Sequence, residues 1–352
     1  MASPASGQTP EPQPSTDWRE EIADGEAERF EAHAQELLQL QRRNARGGRP
    51  SRALHAKGMP GVEAVFTVHA DLPAIARVGL FSRPGSYRTF VRFSNGSGAR
   101  QDDRKPDIRG VALKLMGVTG RKLIPGMEDA LTQDFLLIRT PATPVRDADE
   151  FMALVRASTS PVTGLPRLLR QLGPLRLVTL LARAMRSLAP IDSLATTSFY
   201  SALPIRFGDH AVHYALRPHT LREAGDCRGS GPDYLAQDLA VRLRNGPVSY
   251  DFQIQFYTDP VNTPIEDASV EWKESHSPFV TVGHLSLLQQ DVASPAARRL
   301  SEFIETLSFD PWQALTMFRP LGNMMRARNV AYRVSTQARE AAPEPNGDEL
   351  LG

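Results

Sequence analysis

The sequence predicts an α+β protein: a closed antiparallel β-barrel of about eight strands with helices around it. Short β-rich runs separated by turn signals recur between residues 61 and 287. Helix-favouring segments lie between the later runs and dominate after the last one. At 352 residues and 41% hydrophobic content, the chain can bury a large core. Closing such strands into a barrel removes exposed edges.

The elements follow in order. Residues 1–16 are rich in Pro, Ser, Thr and Gln and read as a disordered segment. Residues 17–46 are polar, with Phe30, Leu37, Leu38 and Leu40 as sparse anchors, and read as a helical arm of one domain spanning 17–340. Residues 61–70, 88–95, 110–116 and 133–138 are strands, and VHYALRP, VSYDFQIQFYT and FVTVGHLSL extend the series through residue 287. Helices are expected at 147–157, 164–188, 232–243, 290–307 and 322–340. The end, AAPEPNGDELLG over 341–352, reads as a frayed tail. No internal repeat is present.

Composition narrows the classes. A net charge of +1, with no basic cluster of nucleic-acid type, implies no nucleic-acid partner. A single cysteine, Cys227, excludes an intrachain disulfide framework and fits a reducing compartment. MASPASGQTPEPQPSTDWREE has no apolar core or cleavage pattern, and no run of 18 apolar residues exists, so a cytoplasmic protein is expected.

Two residues near the C-terminus carry the chemistry. In RPLGNMMRARNVAYRVSTQAR, Arg328 and Tyr332 are four positions apart and share a helix face. A cation beside a phenol favours the phenolate, and a phenolate is a good ligand for ferric iron. The upstream segment SRALHAKG supplies His55, whose ordinary pKa suits a proton shuttle.

RALHAKGMPGVEAVFTVHADL, FVRFSNGSGARQDDRKPDIRGVALKL, TQDFLLIRTPATPVRDADEF and ETLSFDPW precede that helix. Together they resemble the catalase haem-barrel family over roughly residues 48–340, loosely across 160–245. The length is closer to the small catalase-related hydroperoxidases and the allene oxide synthases that share their core. The resemblance implies a catalase-like haem core holding haem b, with Tyr332 as proximal iron ligand and Arg328 behind it. It implies His55 as distal acid and base, with Ser94 fixing the imidazole tautomer. Arg52, Arg92 and Arg339 match the propionate and ligand-side cations, and Phe151 the ring packed on the haem.

Structural alternatives stand beside these roles. His55 and Phe151 are compatible with turn or core positions, Ser94 with a strand-end hydroxyl, and Arg92 with a pair to Asp102, Asp103 or Asp107. NGSGARQDD reads as a turn, lacking the ending of a phosphate loop. Of the histidines only His210 and His213 approach metal-ligand spacing, and GDHAVH reads as strand surface.

One departure matters. The family's distal asparagine falls here on Ile138 or Arg139 and is missing. An apolar pocket there favours an organic hydroperoxide over hydrogen peroxide. The expected function is a haem peroxidase acting on organic hydroperoxides, fatty-acid ones included, with a reducing co-substrate. The alternatives are a catalase-like allene oxide synthase or hydroperoxide isomerase, and a non-catalytic haem-binding protein. A homo-oligomer is compatible with all three. In 164–188, GLPRLLRQLGPLRLVTLLARAMRSL, leucines at helical spacing alternate with arginines. This reads either as a peripheral membrane contact, interrupted at Gly173-Pro174, or as a helix packed on the barrel with snorkelling arginines.

Overall fold

Nine antiparallel strands form one sheet in the computed structural model, which describes residues 13–45, 52–159, 161–219 and 231–346. They are β1 (Val62–Val68), β2 (Gly85–Asn95), β3 (Arg109–Met116), β4 (Thr132–Ile138), β5 (Phe199–Tyr200), β6 (Ile205–Phe207), β7 (His210–Pro218), β8 (Val248–Phe256) and β9 (Val280–Leu287). Eight close into a barrel in the order β1-β2-β3-β4-β5-β7-β8-β9 and back to β1, while β6 pairs on the flank of β7. The expected closure is made by β5, only two residues long, which joins Ile138 of β4 to Ala215 and Leu216 of β7.

Alternation along the strands sorts the two faces. Val91, Phe93, Val111, Leu113, Phe135 and Leu137 enter one buried core with Tyr214, Leu216 and Phe252. Its centre is aromatic: the Phe252 ring lies 5.1 Å from Phe66 and 5.0 Å from Phe135, at angles of 79° and 56°. The intervening residues face outward in registered rows: Ser94–Gly110–Ile138, then Arg92–Ala112–Leu136, then Phe90–Lys114–Asp134.

The helices are α1 (Glu26–Arg43), α2 (Ala148–Thr159), α3 (Pro161–Ser187), α4 (Tyr234–Asn245), α5 (Pro295–Thr306) and α6 (Asn323–Arg339). Phe30, Ala34, Leu38 and Gln41 are the buried face of α1, which packs on α6. Ser294 caps α5, its Oγ accepting from Ala297 N at 3.2 Å with Pro295 in the first turn. That cap starts the helix five residues later than expected from residue 290.

Several expectations need correction. The arm over 17–46 is helical only from Glu26; before it the chain is an extended strap fastened to the body. Ser15 N donates to Tyr257 O at 2.8 Å, and Trp18 Nε1 to Asp209 O at 2.9 Å. Glu20 accepts from Gly322 N at 2.9 Å. Arg326 of α6 then gathers Glu20, Glu26 and Glu266 at 2.9, 2.6 and 3.0 Å. These tertiary bonds satisfy the strap's polar groups without a helix. Residues 13–16 are therefore ordered, while 1–12 and Cys227 lie outside the described residues. The tail expected to fray is docked as far as it is described, with 347–352 beyond. Ala342 N donates to Thr306 O at 3.0 Å. Glu344 joins the buried Lys114–Asp134 pair, its Oε2 2.6 Å from Lys114 Nζ. His213 is not strand surface: it is buried, stacked on Trp272 at 3.9 Å, and burial pushes its pKa down to about 3.

Candidate functional site

A cavity of about 300 Å³ lies between the outer face of β2–β3–β4 and the helices α1, α2 and α6. All eight residues singled out from the sequence line it: Arg52, His55, Arg92, Ser94, Phe151, Arg328, Tyr332 and Arg339. The outward row of the barrel is the floor. Its residues are small at β3, where Gly110 and Ala112 stand beside Ser94 and Arg92. Alternation alone explains this placement, since Val111 and Leu113 must point into the barrel.

His55 sits against the floor. A Cβ on Gly110 would lie 2.8 Å from its Cε1, so the ring's approach requires glycine there. Its Nδ1 is 2.9 Å from Ser94 Oγ. The backbone is left-handed at φ 56°, a conformation a non-glycine residue adopts only under constraint. The constraint is visible: His55 N donates to Gly96 O at 3.0 Å and Arg92 Nη2 to His55 O at 3.0 Å. Burial, then the charges of Arg92, Arg328 and Arg52, push the imidazole pKa down to about 3. The ring is therefore neutral across the ordinary pH range.

α6 supplies the helix wall. Arg328, Tyr332 and Arg339 fall on one stripe of it with the buried Met325. Arg328 Nη2 donates to Tyr332 Oη at 2.8 Å, and its guanidinium carbon lies 5.1 Å from the ring centroid. Burial opposes the Arg328 charge, but Tyr332, Tyr214 and Asp310 together outweigh it and the guanidinium pKa is raised. Phe151 and Met152 of α2, with Leu37 and Leu38 of α1, complete largely apolar walls.

One rim is cationic. Arg52 Nη1 donates to Glu305 Oε2 at 2.8 Å, Arg92 Nε to Glu305 Oε1 at 2.8 Å, and Arg339 Nη2 to Leu307 O at 3.2 Å. The partner of Arg92 is thus Glu305, from the end of α5. Asp103 instead binds Lys57 and Asn95, and Asp107 binds Ser97 and Gln101. Gly58 permits the junction, because a Cβ there would fall 2.0 Å from Glu305 Oε1. Arg52 and Arg339 are held below the usual guanidinium range by burial and by repulsion from neighbouring guanidiniums, with Glu305 in opposition. The rim thus favours further anions.

Sequence reasoning passed over Glu305, although it stands at the head of ETLSFDPW; a carboxylate whose partners, Arg52 and Arg92, lie more than 200 positions away has no local signal. It also left the position of the missing asparagine open. Ile138 lines the cavity, whereas Arg139 turns away to the carbonyl of Ala189.

Residues 13–169 match the family model for catalase. The chain is 28% identical over 308 residues to the catalase-related peroxidase of Mycolicibacterium paratuberculosis (strain ATCC BAA-968 / K-10), an alignment spanning 84% of this chain and 92% of that one. Catalase A from Saccharomyces cerevisiae has a similar fold at 20% identity, with a TM-score of 0.64 over 86% of this chain. This chain spans 63% of that yeast protein. A fungal catalase gives a TM-score of 0.66 at 18% identity over 98% of this chain and 68% of its own.

Proposed function

We propose that this chain, which is similar in sequence to a catalase-related peroxidase and in fold to catalases, is a haem peroxidase in which Tyr332 ligates the iron and His55 moves the proton of an organic hydroperoxide. The observation that carries this reading is the convergence of all eight residues on one cavity.

The donor set fits a haem b. Tyr332 with its guanidinium partner is suited to an anionic ligand role. Arg52, Arg92 and Arg339 form an anion-seeking rim suited to two propionates, and Glu305 holds Arg52 and Arg92 in place for them. The small residues Gly110 and Ala112 keep the floor of the cavity open between barrel and α6, where a planar ring would lie. Bound there, the haem would supply the iron that takes up two oxidising equivalents from the hydroperoxide, and the reducing co-substrate would return the two electrons. His55, neutral above about pH 3, removes the hydroperoxide proton and returns it to the departing oxygen. Ser94 accepts from Nδ1–H and so reserves Nε2 for that proton. Arg328 donates to the Tyr332 phenol oxygen and so orients it. Phe151 and the α1 leucines exclude water.

Ile138 sets the substrate. An amide-free, apolar pocket gains roughly 0.8 kcal/mol per buried CH₂, so a few methylenes outweigh one lost hydrogen bond of about 1 kcal/mol. Organic hydroperoxides, including those of fatty acids, are expected to show a higher kcat/KM than hydrogen peroxide, with little oxygen evolved. Steady-state assays with an alkyl hydroperoxide and a reducing donor test this, the products being an alcohol and the oxidised donor. Oxygen release at catalase rates would overturn the preference. A rearranged epoxide formed without donor would assign the chain to allene oxide synthesis instead.

The surface of α3 supports a lipid source for that substrate. Leu168 and Leu177 pack on Ala153 of α2, and the chain breaks at Gly173 with φ 75°. The other face exposes Leu165, Leu169, Leu175, Val178, Leu181 and Met185 beside the exposed Arg167, Arg170 and Arg186. No acidic residue lies between 161 and 188. An isologous dimer through this face would set arginine against arginine, whereas each arginine is worth about 1 kcal/mol at an anionic bilayer. The protein is expected to sediment with phosphatidylglycerol vesicles and not with phosphatidylcholine ones. Equal binding to both, or to neither, would exclude this contact. Among the described residues no helix is long and apolar enough to cross a membrane.

A further inference from the structure

We infer that His219, Asp251 and His284 form a separate metal site that takes a divalent first-row cation of the zinc type. They lie on the outer face of β8 and β9, across the barrel from the strands that floor the cavity.

The three residues are far apart in sequence and are assembled only by the barrel. His284 of β9 stands directly opposite Asp251 in the β8–β9 ladder. Tyr250 and Phe252 point into the core, which turns Asp251 outward. His219 follows β7, and its N donates to Ser249 O at 3.0 Å, bringing its ring beside Asp251. Asp251 Oδ1 is 2.7 Å from His219 Nε2 and 3.9 Å from His284 Nδ1. The two imidazoles are 4.7 Å apart between centroids, and the three candidate ligand atoms lie within 4.8 Å of one another. Ligands of a tetrahedral zinc are about 3.3 Å apart, so small side-chain rotations bring this set onto one ion.

The chemistry is consistent. Two borderline imidazole donors beside one hard carboxylate suit zinc, nickel or copper, whereas calcium takes six to eight oxygen ligands. A protonated histidine cannot ligate. Burial, then the neighbouring His219, lower the His284 pKa against the pull of Asp251, and His69 adds to the lowering. The strand-borne pair is pre-organised by the ladder. Arg217, opposite Asp251 in the β7–β8 register, does not compete: it reaches Glu274 at 2.8 Å and covers the Phe279 ring at 4.6 Å. A bound cation would clip the end of β7 to β8 and β9 and leave a coordination position facing solvent.

Titration calorimetry of the haem-loaded protein with zinc chloride near neutral pH tests the site. The wild type is expected to bind one zinc ion per chain at this site. Asp251→Asn should weaken it at least about tenfold, and the double variant His219→Gln, His284→Gln should abolish it, with the Soret spectrum unchanged in both. As a second measurement, zinc should raise the Tm of the wild type in proportion to its logarithmic concentration and leave that of the double variant fixed. Absence of stoichiometric binding in the wild type, or equal binding in the double variant, would overturn the site.

Discussion

Tyr332→Phe is expected to yield a protein that retains little haem, or one whose ferric Soret band is clearly displaced. The variant removes the phenol oxygen and nothing else of the ring. It deletes the proposed iron ligand and also leaves Nη2 of the half-buried Arg328 without its acceptor. Losing a hydrogen bond to a charged group costs about 1.5–3 kcal/mol, so a lower Tm is expected as well. Haem content per chain and the absorption spectrum separate the two effects. A reduced Tm with an unchanged ferric spectrum would mean that Tyr332 is only the structural partner of Arg328.

His55→Ala should keep haem and lose most hydroperoxide cleavage. General acid–base help is typically worth about 10²–10⁴-fold, and a fall in kcat/KM of that order is expected with the Soret band retained. Wild-type rates in the variant would reassign His55 to structure. The pH profile gives an independent readout. Because the imidazole pKa is depressed to about 3, the basic form persists far below the ordinary value of 6.5. The acid limb of kcat/KM due to this group should therefore lie near pH 3. The stability sign runs the same way. Protons bind the unfolded imidazole more tightly, so the contribution of the neutral ring is complete above about pH 6.5 and is lost progressively as the pH falls toward 3. His213, depressed to the same value by burial, adds to that acid sensitivity.

Those two residues were readable because their signals are local. Arg328 and Tyr332 are a single helical turn apart, and HAKG and VRFS carry recognisable patterns. Seven of the eight barrel strands were equally plain, since each is a β-rich run of several residues bounded by turn signals. The eighth, β5, has two residues and no period; only the pairing partners it lies between define it. Likewise α1 begins where Gly25 turns left-handed, whereas the strap before it is held by ion pairs with residues some 300 positions away. Glu305 and the His219–Asp251–His284 cluster escaped for the same reason. Their meaning lies in neighbours that only the closed barrel supplies, and spacing within the chain contains no trace of them.

The walls of the cavity are drawn from residue 33 to residue 339. A chain emerging N-terminus first at a ribosome would expose α1 and the barrel floor long before α6 is made. Until then the apolar flank over Gly110, Ala112 and Leu136 lacks its cover, and the rim lacks Arg339. Contacts of such high sequence separation form late and slowly. On the proposed reading, cofactor capture would follow completion of nearly the whole chain, and a transcript cut short before Asn323 would encode a barrel without Arg328, Tyr332 and Arg339, however well its strands close.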